Sequence, residues 1–320
     1  MFKCRSYKPY RLKHFYTPTL QHYKMPSTYF DLPDKLSQYE TAHVAILPVP
    51  LDLTTSYMKG TGLAPEAILE ASAQVELYDE ELETETCDVG IASLAPLEIQ
   101  GLSLEKALKK IGPAISLIIK DGKLPIMIGG EHSITPPAVK TVAAVYQNLT
   151  VVQFDAHADL REEYDGTKWS HACAMARVLE ICPAVQIGIR NLSLPEAKRV
   201  STEKLPVFFS HRIHSDKNWA QNAIDAVKTD NVYVTVDVDV FDSSILPDTG
   251  TPEPGGLNWY DVTGFLSTLS ERKNIVAFDF VELCPQKGHH ASDFLVAKLI
   301  YKCIGYWAKK LESRSKKQEA

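Results

Sequence analysis

The amino-acid sequence predicts a single three-layer α/β domain in which a mainly parallel sheet is flanked by helices. Three observations carry that expectation. From residue 43 onward one rhythm repeats: a short apolar or β-branched run, a loop, then a helical stretch. Alternation of this kind specifies a parallel sheet covered on both faces. No Pro/Gly/Ser-rich linker divides the body, and no internal repeat is visible. With 320 residues, 45% apolar and 23% charged, the chain has enough material for one large core.

Taken in order, the first strand is "HVAILPV" at 43, too apolar along its length to have a solvated face. The stretch "SLEKALKKIGPAISLIIKDG" at 103 predicts a helix, with Ser103 and Glu105 near its start and Gly122 at its end. "LPIMIG" at 124 is the next strand and "SITPPAVKTVAAVYQN" at 133 the next helix. Strands follow at "LTVVQFD" (149), "AVQIGI" (184), "PVFF" (206), "NVYVTVDVDV" (231) and "NIVAFDF" (274), and "DFLVAKLIYKCIGYWAKKL" at 293 closes the pattern as a helix. Composition separates an N-terminal tail, 1–38, and a C-terminal tail, 309–320, from a body at 39–308.

The formal charge of −6 at pH 7 argues against a nucleic-acid partner, and the run "DEELETE" at 79 reads as a solvated face. No apolar run is long enough to span a bilayer, and the opening residues hold no signal-peptide core, so no membrane partner is expected. Six cysteines without a C-x-x-C pair suggest a reducing compartment. Residues 1–24 carry six Lys/Arg and no Asp or Glu, as a transit peptide would, but they are rich in Tyr and Pro and poor in Ser and Ala. A cytoplasmic protein is the expectation.

Polar residues collect where strands end, which is where open parallel sheets build ligand sites. "LPIMIGGEHS" ends on His132; "VVQFDAHADL" carries Asp155, His157 and Asp159; "VYVTVDVDVFD" carries Asp237 and Asp239. Alternate positions of a strand share one face, so the like charges of each cluster stack there. That arrangement is costly unless a cation sits between them. Any one pair alone would read as a strand-end cap. Four carboxylates and two imidazoles at three strand ends read instead as ligands of two divalent ions. An oxygen-rich N/O set favours Mn(II), with Ni(II), Co(II) or Zn(II) able to compete. A water held between two such ions is a strong nucleophile near neutral pH, and the surplus negative charge should attract a cationic substrate.

The motifs "GGEHS", "FDAHAD", "DVDVFD", "GTPEPGG" and "FVELCP", in this order, closely resemble those of the arginase/agmatinase (ureohydrolase) family. "TTSYMKGTGLAPEAILEAS" is similar to its loop and first helix, and the resemblance runs from about residue 43 to 306. It implies an arginase/deacetylase-like fold and hydrolysis of a guanidino group to urea. It implies one metal held by His132, Asp155, Asp159 and Asp237 and another by Asp155, His157, Asp237 and Asp239. Asp159 would also hydrogen-bond the nucleophile, Glu282 would grip the guanidinium, and His171 would carry a proton to the leaving amine. A homo-oligomer, trimer or hexamer, is implied as well. Ser243 stands where the family commonly has Pro, and Glu131 where Asp is common; both lie outside the implied ligand set.

Two other classes are weighed: a metal-dependent deacetylase, which needs neither His132 nor Asp239, and an inactive regulatory ureohydrolase-like subunit, which has no reason to keep the whole charged cluster. His211, His214, His289 and His290 read as loop histidines, and Cys173 and Cys284 as packed thiols. Asp242 reads as a group that either supports the ligands from behind or fixes its loop. Substrate choice rests on the loop "LREEYDGTKWSHACAM", whose Glu162, Glu163 and Asp165 resemble agmatinases more than arginases, together with Glu253. Agmatine, cleaved to putrescine and urea, is the favoured substrate, with Glu163 and Glu253 expected near its distal amine. Guanidine, guanidinobutyrate, guanidinopropionate and arginine are the alternatives.

Overall fold

The apolar runs lie side by side in the computed structural model, which describes residues 28–319. The strands are β1 (Val44–Val49), β2 (Tyr78–Asp79), β3 (Thr84–Glu85), β4 (Ile91–Ser93), β5 (Leu124–Gly129), β6 (Leu149–Phe154), β7 (Ala184–Ile189), β8 (Val207–Phe209), β9 (Asn231–Asp237) and β10 (Asn274–Val281). Eight form one sheet in the order β4-β1-β5-β10-β9-β6-β7-β8, while β2 and β3 form a separate hairpin. Every pairing in the large sheet is parallel. The hairpin and the three-residue β4 have no counterpart in the sequence reading, because such short pieces leave no periodicity. The strand expected over 231–240 stops at Asp237, and 238–240 form a 3-10 turn.

Alternation decides the layers. Ile46, Val152, Val234 and Phe278 face one core, while Leu47, Val151, Tyr233 and Ala277 face the other. The first core is covered by α1 (Asp34–Ser37), α2 (Ala64–Ser72), α7 (Ser210–Ile213), α8 (Trp219–Ala226), α9 (Trp259–Arg272) and α10 (Ala291–Glu319). The second is covered by α3 (Leu104–Lys120), α4 (Thr135–Val145), α5 (Ala174–Leu179) and α6 (Leu194–Glu203). In α3 the buried residues are Ala107, Leu108, Ile111, Ile115, Ile118 and Ile119, the spacing of a single apolar stripe. Capping boxes at Ser193/Glu196 and Asn258/Asp261 start α6 and α9.

Both expected tails need correction. Of the segment 1–38, residues 1–27 lie outside the described residues, but 28–38 pack onto the body. Tyr29 is fully buried and its hydroxyl donates to Ala297 O at 2.5 Å, while Phe30 stacks edge-on against it. Two aromatic rings bring enough apolar area to hold this strap down. At the other end, α10 continues unbroken from the buried Ile304 and Tyr306 to Glu319. Lys, Glu, Ser and Arg beyond 308 include good helix formers, so a polar composition does not end the helix. Among the described residues no helix is long and apolar enough to cross a membrane.

The central four strands, β5, β10, β9 and β6, are neighbours, and parallel pairing puts all their carboxyl ends at one edge. Those ends lead into His132, Glu282, Asp237 and Asp155.

Candidate active site

Two close approaches shape this edge. Beyond β5 the chain passes so near Leu51 that a Cβ on Gly130 would lie 1.8 Å from its carbonyl oxygen. Only glycine fits, and the turn sends His132 into a 3-10 turn (132–134) that leads into α4. Gly188 in β7 has φ +94°, and a Cβ there would meet Val240 at 2.7 Å.

Beyond β6 the expected alternation does not apply. The strand ends at Phe154, so Asp155, His157 and Asp159 converge through a turning loop and not through a shared strand face. His157 N donates to Asp155 Oδ1 at 2.6 Å, Ala156 N donates to Asp239 Oδ1 at 2.9 Å, and Asp159 takes a left-handed φ of +52°. Likewise Asp237 ends β9 while Asp239 sits in the following 3-10 turn and donates its N–H to Asp237 Oδ1 at 3.0 Å. The backbone thus holds the carboxylates one against another.

All six expected ligand residues meet. His132 Nδ1 lies 3.2 Å from Asp155 Oδ2, 3.1 Å from Asp159 Oδ2 and 3.5 Å from Asp237 Oδ2. His157 Nδ1 lies 2.8 Å from Asp239 Oδ2 and 3.6 Å from Asp155 Oδ1. Two cation-sized groups result, His132/Asp155/Asp237 and Asp155/His157/Asp239, sharing Asp155.

The electrostatics show what this cluster fits. Burial alone would lower the pKa of His132, but Asp155, Asp159 and Asp237 outweigh it and hold it well above the ordinary value. Burial opposes protonation of His157 too, and Asp239 with Asp155 overcomes it. Burial, then Asp239 and Asp155, pushes Asp237 well up, while Asp155 is held low by both imidazoles against its own burial. Such a set carries more negative charge than its histidines balance, and divalent cations supply the difference without protons. The buried Nδ1 of His132 makes no hydrogen bond despite its three carboxylate neighbours. An unpaired nitrogen among carboxylates fits a metal ion.

His157, Asp159, Asp237 and Asp239 of this cluster line a cavity of about 280 Å³ whose wall also includes Ser56, Arg161, Tyr164, His171, Asn191 and Glu282, with His132 and Asp155 buried behind them. Glu282, buried and at φ +66°, accepts the backbone N–H of His132 at 2.6 Å, and burial raises its pKa well above the usual carboxylate range. His171 Nδ1 is 3.1 Å from Thr54 Oγ1 and its Nε2 is 3.1 Å from Ser56 Oγ. Glu163 and Glu253 do not line the cavity. Glu163 is exposed, and Glu253 accepts a short hydrogen bond from Asn191 at the rim. Glu162 pairs with Arg177 at 2.6 Å and Arg199 at 2.7 Å, so the loop is less acidic than its composition suggests.

Several residues of this site were given no role by the sequence. Glu131 is fully buried and accepts from Leu53 N (2.6 Å), Thr54 N (2.6 Å), Thr54 Oγ1 (2.8 Å) and Ser133 Oγ (2.6 Å). It anchors the loop that touches His171. Beneath the carboxylates, Gln153, Gln186, Thr235 and Asp279 are buried within the strands. A signal for them exists in the sequence: each is a polar residue flanked on both sides by apolar ones within a strand. Asp242 fixes its loop as expected, accepting from Ser244, Gly255 and Gly256. His289 contacts Asp248 and His214 the Gly256 carbonyl, both away from the cluster.

Comparison with known proteins matches the arginase family model over residues 42–305. The chain is 40% identical over 291 residues to an N(1)-aminopropylagmatine ureohydrolase of Synechocystis sp., covering 89% of this chain and 94% of that protein. It is 33% identical to an agmatinase of Pyrococcus horikoshii, covering 88% and 97%. The crystal structure of the agmatine ureohydrolase of Thermoplasma volcanium aligns with a TM-score of 0.81 at 32% identity, covering 90% of this chain and 96% of that one.

Proposed function

Because the chain belongs to the arginase family, we propose that it is a binuclear-metal ureohydrolase cleaving the guanidino group of an agmatine-type amine to urea and the free amine. One observation carries this reading: the two His/Asp groups that share the buried Asp155 reach the cavity through His157, Asp237 and Asp239, and Glu282 lines the same cavity. His132, Asp155, Asp159 and Asp237 would hold one ion, and Asp155, His157, Asp237 and Asp239 the other. Mn(II) suits this donor set best, with Ni(II) or Co(II) as competitors. When bound, two divalent ions supply the Lewis acidity that makes water nucleophilic near neutral pH.

The chain's own residues do the rest. Glu282 presents a carboxylate to a planar guanidinium, the pairing with the best-matched geometry for parallel N–H donors. Its attachment to His132 fixes it relative to the cluster. Asp159 accepts a hydrogen bond from the water and aims it at the guanidinium carbon. As the C–O bond forms and a C–N bond breaks, the amine must leave protonated, and His171 at the cavity wall delivers that proton. Water and guanidinium thus give urea and an alkylammonium.

The substrate proposed is agmatine, with Glu253, bonded to Asn191 of the cavity wall, as the carboxylate offered to its distal amine. A longer amine, N(1)-aminopropylagmatine, is favoured by one specific observation: the 40%-identical relative bears that name. The test is a urea-release panel over agmatine, N(1)-aminopropylagmatine, arginine, guanidinobutyrate and guanidine with Mn(II), Ni(II) and Co(II). Either amine-tailed substrate should exceed arginine in kcat/KM by at least about tenfold. Arginine or guanidine turning over best would overturn the substrate assignment, and no urea from any of them would overturn the function. We propose a homo-oligomer for the assembly, which sedimentation would establish.

A further inference from the structure

One register level below the site, a row of buried polar side chains crosses four neighbouring strands. Asp279 of β10 pairs with Thr235 of β9, Thr235 with Gln153 of β6, and Gln153 with Gln186 of β7. None is more than 2% exposed. Polar groups buried in a sheet are costly unless hydrogen-bonded, so the destination of their bonds matters.

Those bonds run upward to the cluster. Gln153 Nε2 donates to Asp155 Oδ2 at 2.6 Å. Gln186 Nε2 donates to Gln153 Oε1 at 2.5 Å, fixing which end of that amide faces Asp155, and to Ala158 O at 2.7 Å between His157 and Asp159. On the other side, His132 Nε2 lies 3.0 Å from Thr235 Oγ1. Beside Thr235, Asp279 Oδ2 accepts from Tyr233 at 2.6 Å and from Thr135 at 2.9 Å, and Thr135 Oγ1 lies 3.5 Å from Thr235 Oγ1, which joins Asp279 to this arm. With Nε2 occupied by Thr235, Nδ1 is the ring atom left to a cation, and it faces Asp155, Asp159 and Asp237.

We propose that Gln186, Gln153, Thr235 and Asp279 act as one row of positioning residues that orients the cation-binding atoms before a cation arrives. One arm, Thr235 and Asp279, sets the direction of the His132 ring. The other, Gln153 and Gln186, sets the carboxylate of Asp155 and the backbone between His157 and Asp159. The inference rests on reading the cluster as a two-metal site and goes beyond it by assigning each arm a different reach. His132 belongs to one ion's set only, whereas Asp155 belongs to both.

The test uses the full chain, stripped of metal, with Mn(II) as the probe. Thr235→Val keeps the shape and removes the hydroxyl; Thr235→Ser restores it; Gln153→Met removes the donor to Asp155. Binding is read by calorimetry, the site by the visible absorption of Co(II), and the fold by the thermal midpoint of the metal-free protein. Thr235→Val should weaken one of two Mn(II) ions by roughly 10- to 100-fold, the usual reach of such supporting bonds. It should leave the other nearly unchanged and alter the Co(II) spectrum, and Thr235→Ser should recover wild-type binding. Gln153→Met should weaken both ions. If wild-type protein binds two ions and Thr235→Val binds them equally well, or if Thr235→Ser fails to restore a lost affinity, the row is packing only. If Gln153→Met does not fold, the Val/Ser pair at 235 decides the question alone. Wild-type protein that binds no Mn(II), Ni(II) or Co(II) overturns the two-metal reading and this inference together.

Discussion

Glu282 accepts the backbone N–H of His132 at 2.6 Å, although 150 residues separate them. The carboxylate proposed to hold the substrate is therefore fixed to the residue proposed to hold a metal ion. Glu282 N in turn donates to Gly130 O at 2.8 Å, so the ends of β5 and β10 are clamped from both sides.

Glu282→Gln isolates the charge, because the amide oxygen can still accept from His132. Hydrogen bonds to charged partners contribute about 1.5–3 kcal/mol. A fall in kcat/KM of roughly 10²-fold with two ions retained is expected. Urea release and metal analysis on the same preparation check it, and activity within tenfold of wild type removes Glu282 from the guanidinium contact.

Asp237→Asn should lose metal and activity together. A neutral amide cannot offset two cations, and one charge at this depth is worth well over ~1.4 kcal/mol. Metal analysis of the purified variant is decisive: two retained ions with more than about a tenth of wild-type turnover would show that Asp237 bridges nothing.

His171→Asn should keep both ions and lower turnover by roughly 10²-fold or more, the size of a general acid/base contribution. Unchanged turnover means that the proton reaches the leaving amine by another route.

Thr54 stands between Glu131 and His171, donating to Glu131 Oε1 at 2.8 Å and lying 3.1 Å from His171 Nδ1. Thr54→Val leaves the imidazole without that partner, and a small misplacement of a catalytic group can cost up to about 10²-fold. A fall in kcat of about tenfold with intact metal content is expected, recovered by Thr54→Ser. Equal kcat in all three proteins would show that the contact does not position His171.

Asp293, near the start of α10, has its pKa pushed up to about 6, first by burial and then by Asp248, with His290 opposing and Glu70 adding to the rise. A carboxyl whose folded pKa exceeds its unfolded value of about 3.9 binds its proton more tightly when folded. Stability is therefore lost as pH climbs from about 4 through 6 and stays lost above. Asp293→Asn should raise the thermal midpoint at pH 8 and change little at pH 4, even though a negative charge near a helix start is otherwise favourable. An unchanged or lower midpoint at pH 8 contradicts the assignment.

Much of this molecule is visible in local sequence. Strands such as "VAILPV" and "LPIMIG" are apolar throughout because both faces are covered, and the polar clusters that follow them mark the edge where the cavity forms. The family motifs also identify six residues that the structure brings together. How they meet was decided elsewhere. Period 2 predicts a shared strand face for Asp155, His157 and Asp159, yet β6 ends at Phe154 and Asp159 turns left-handed. The expected tails hide a buried Tyr29 and a helix reaching Glu319, since composition does not report what an aromatic strap or a helix end packs against. Glu162 of the acidic loop pairs with Arg177 and Arg199, which come from α5 and α6. Periodicity records only which residues prefer burial. The strand order β5-β10-β9-β6, set by pairing of segments distant in the chain, is what places His132 against Asp155 and stands Thr235 beneath His132.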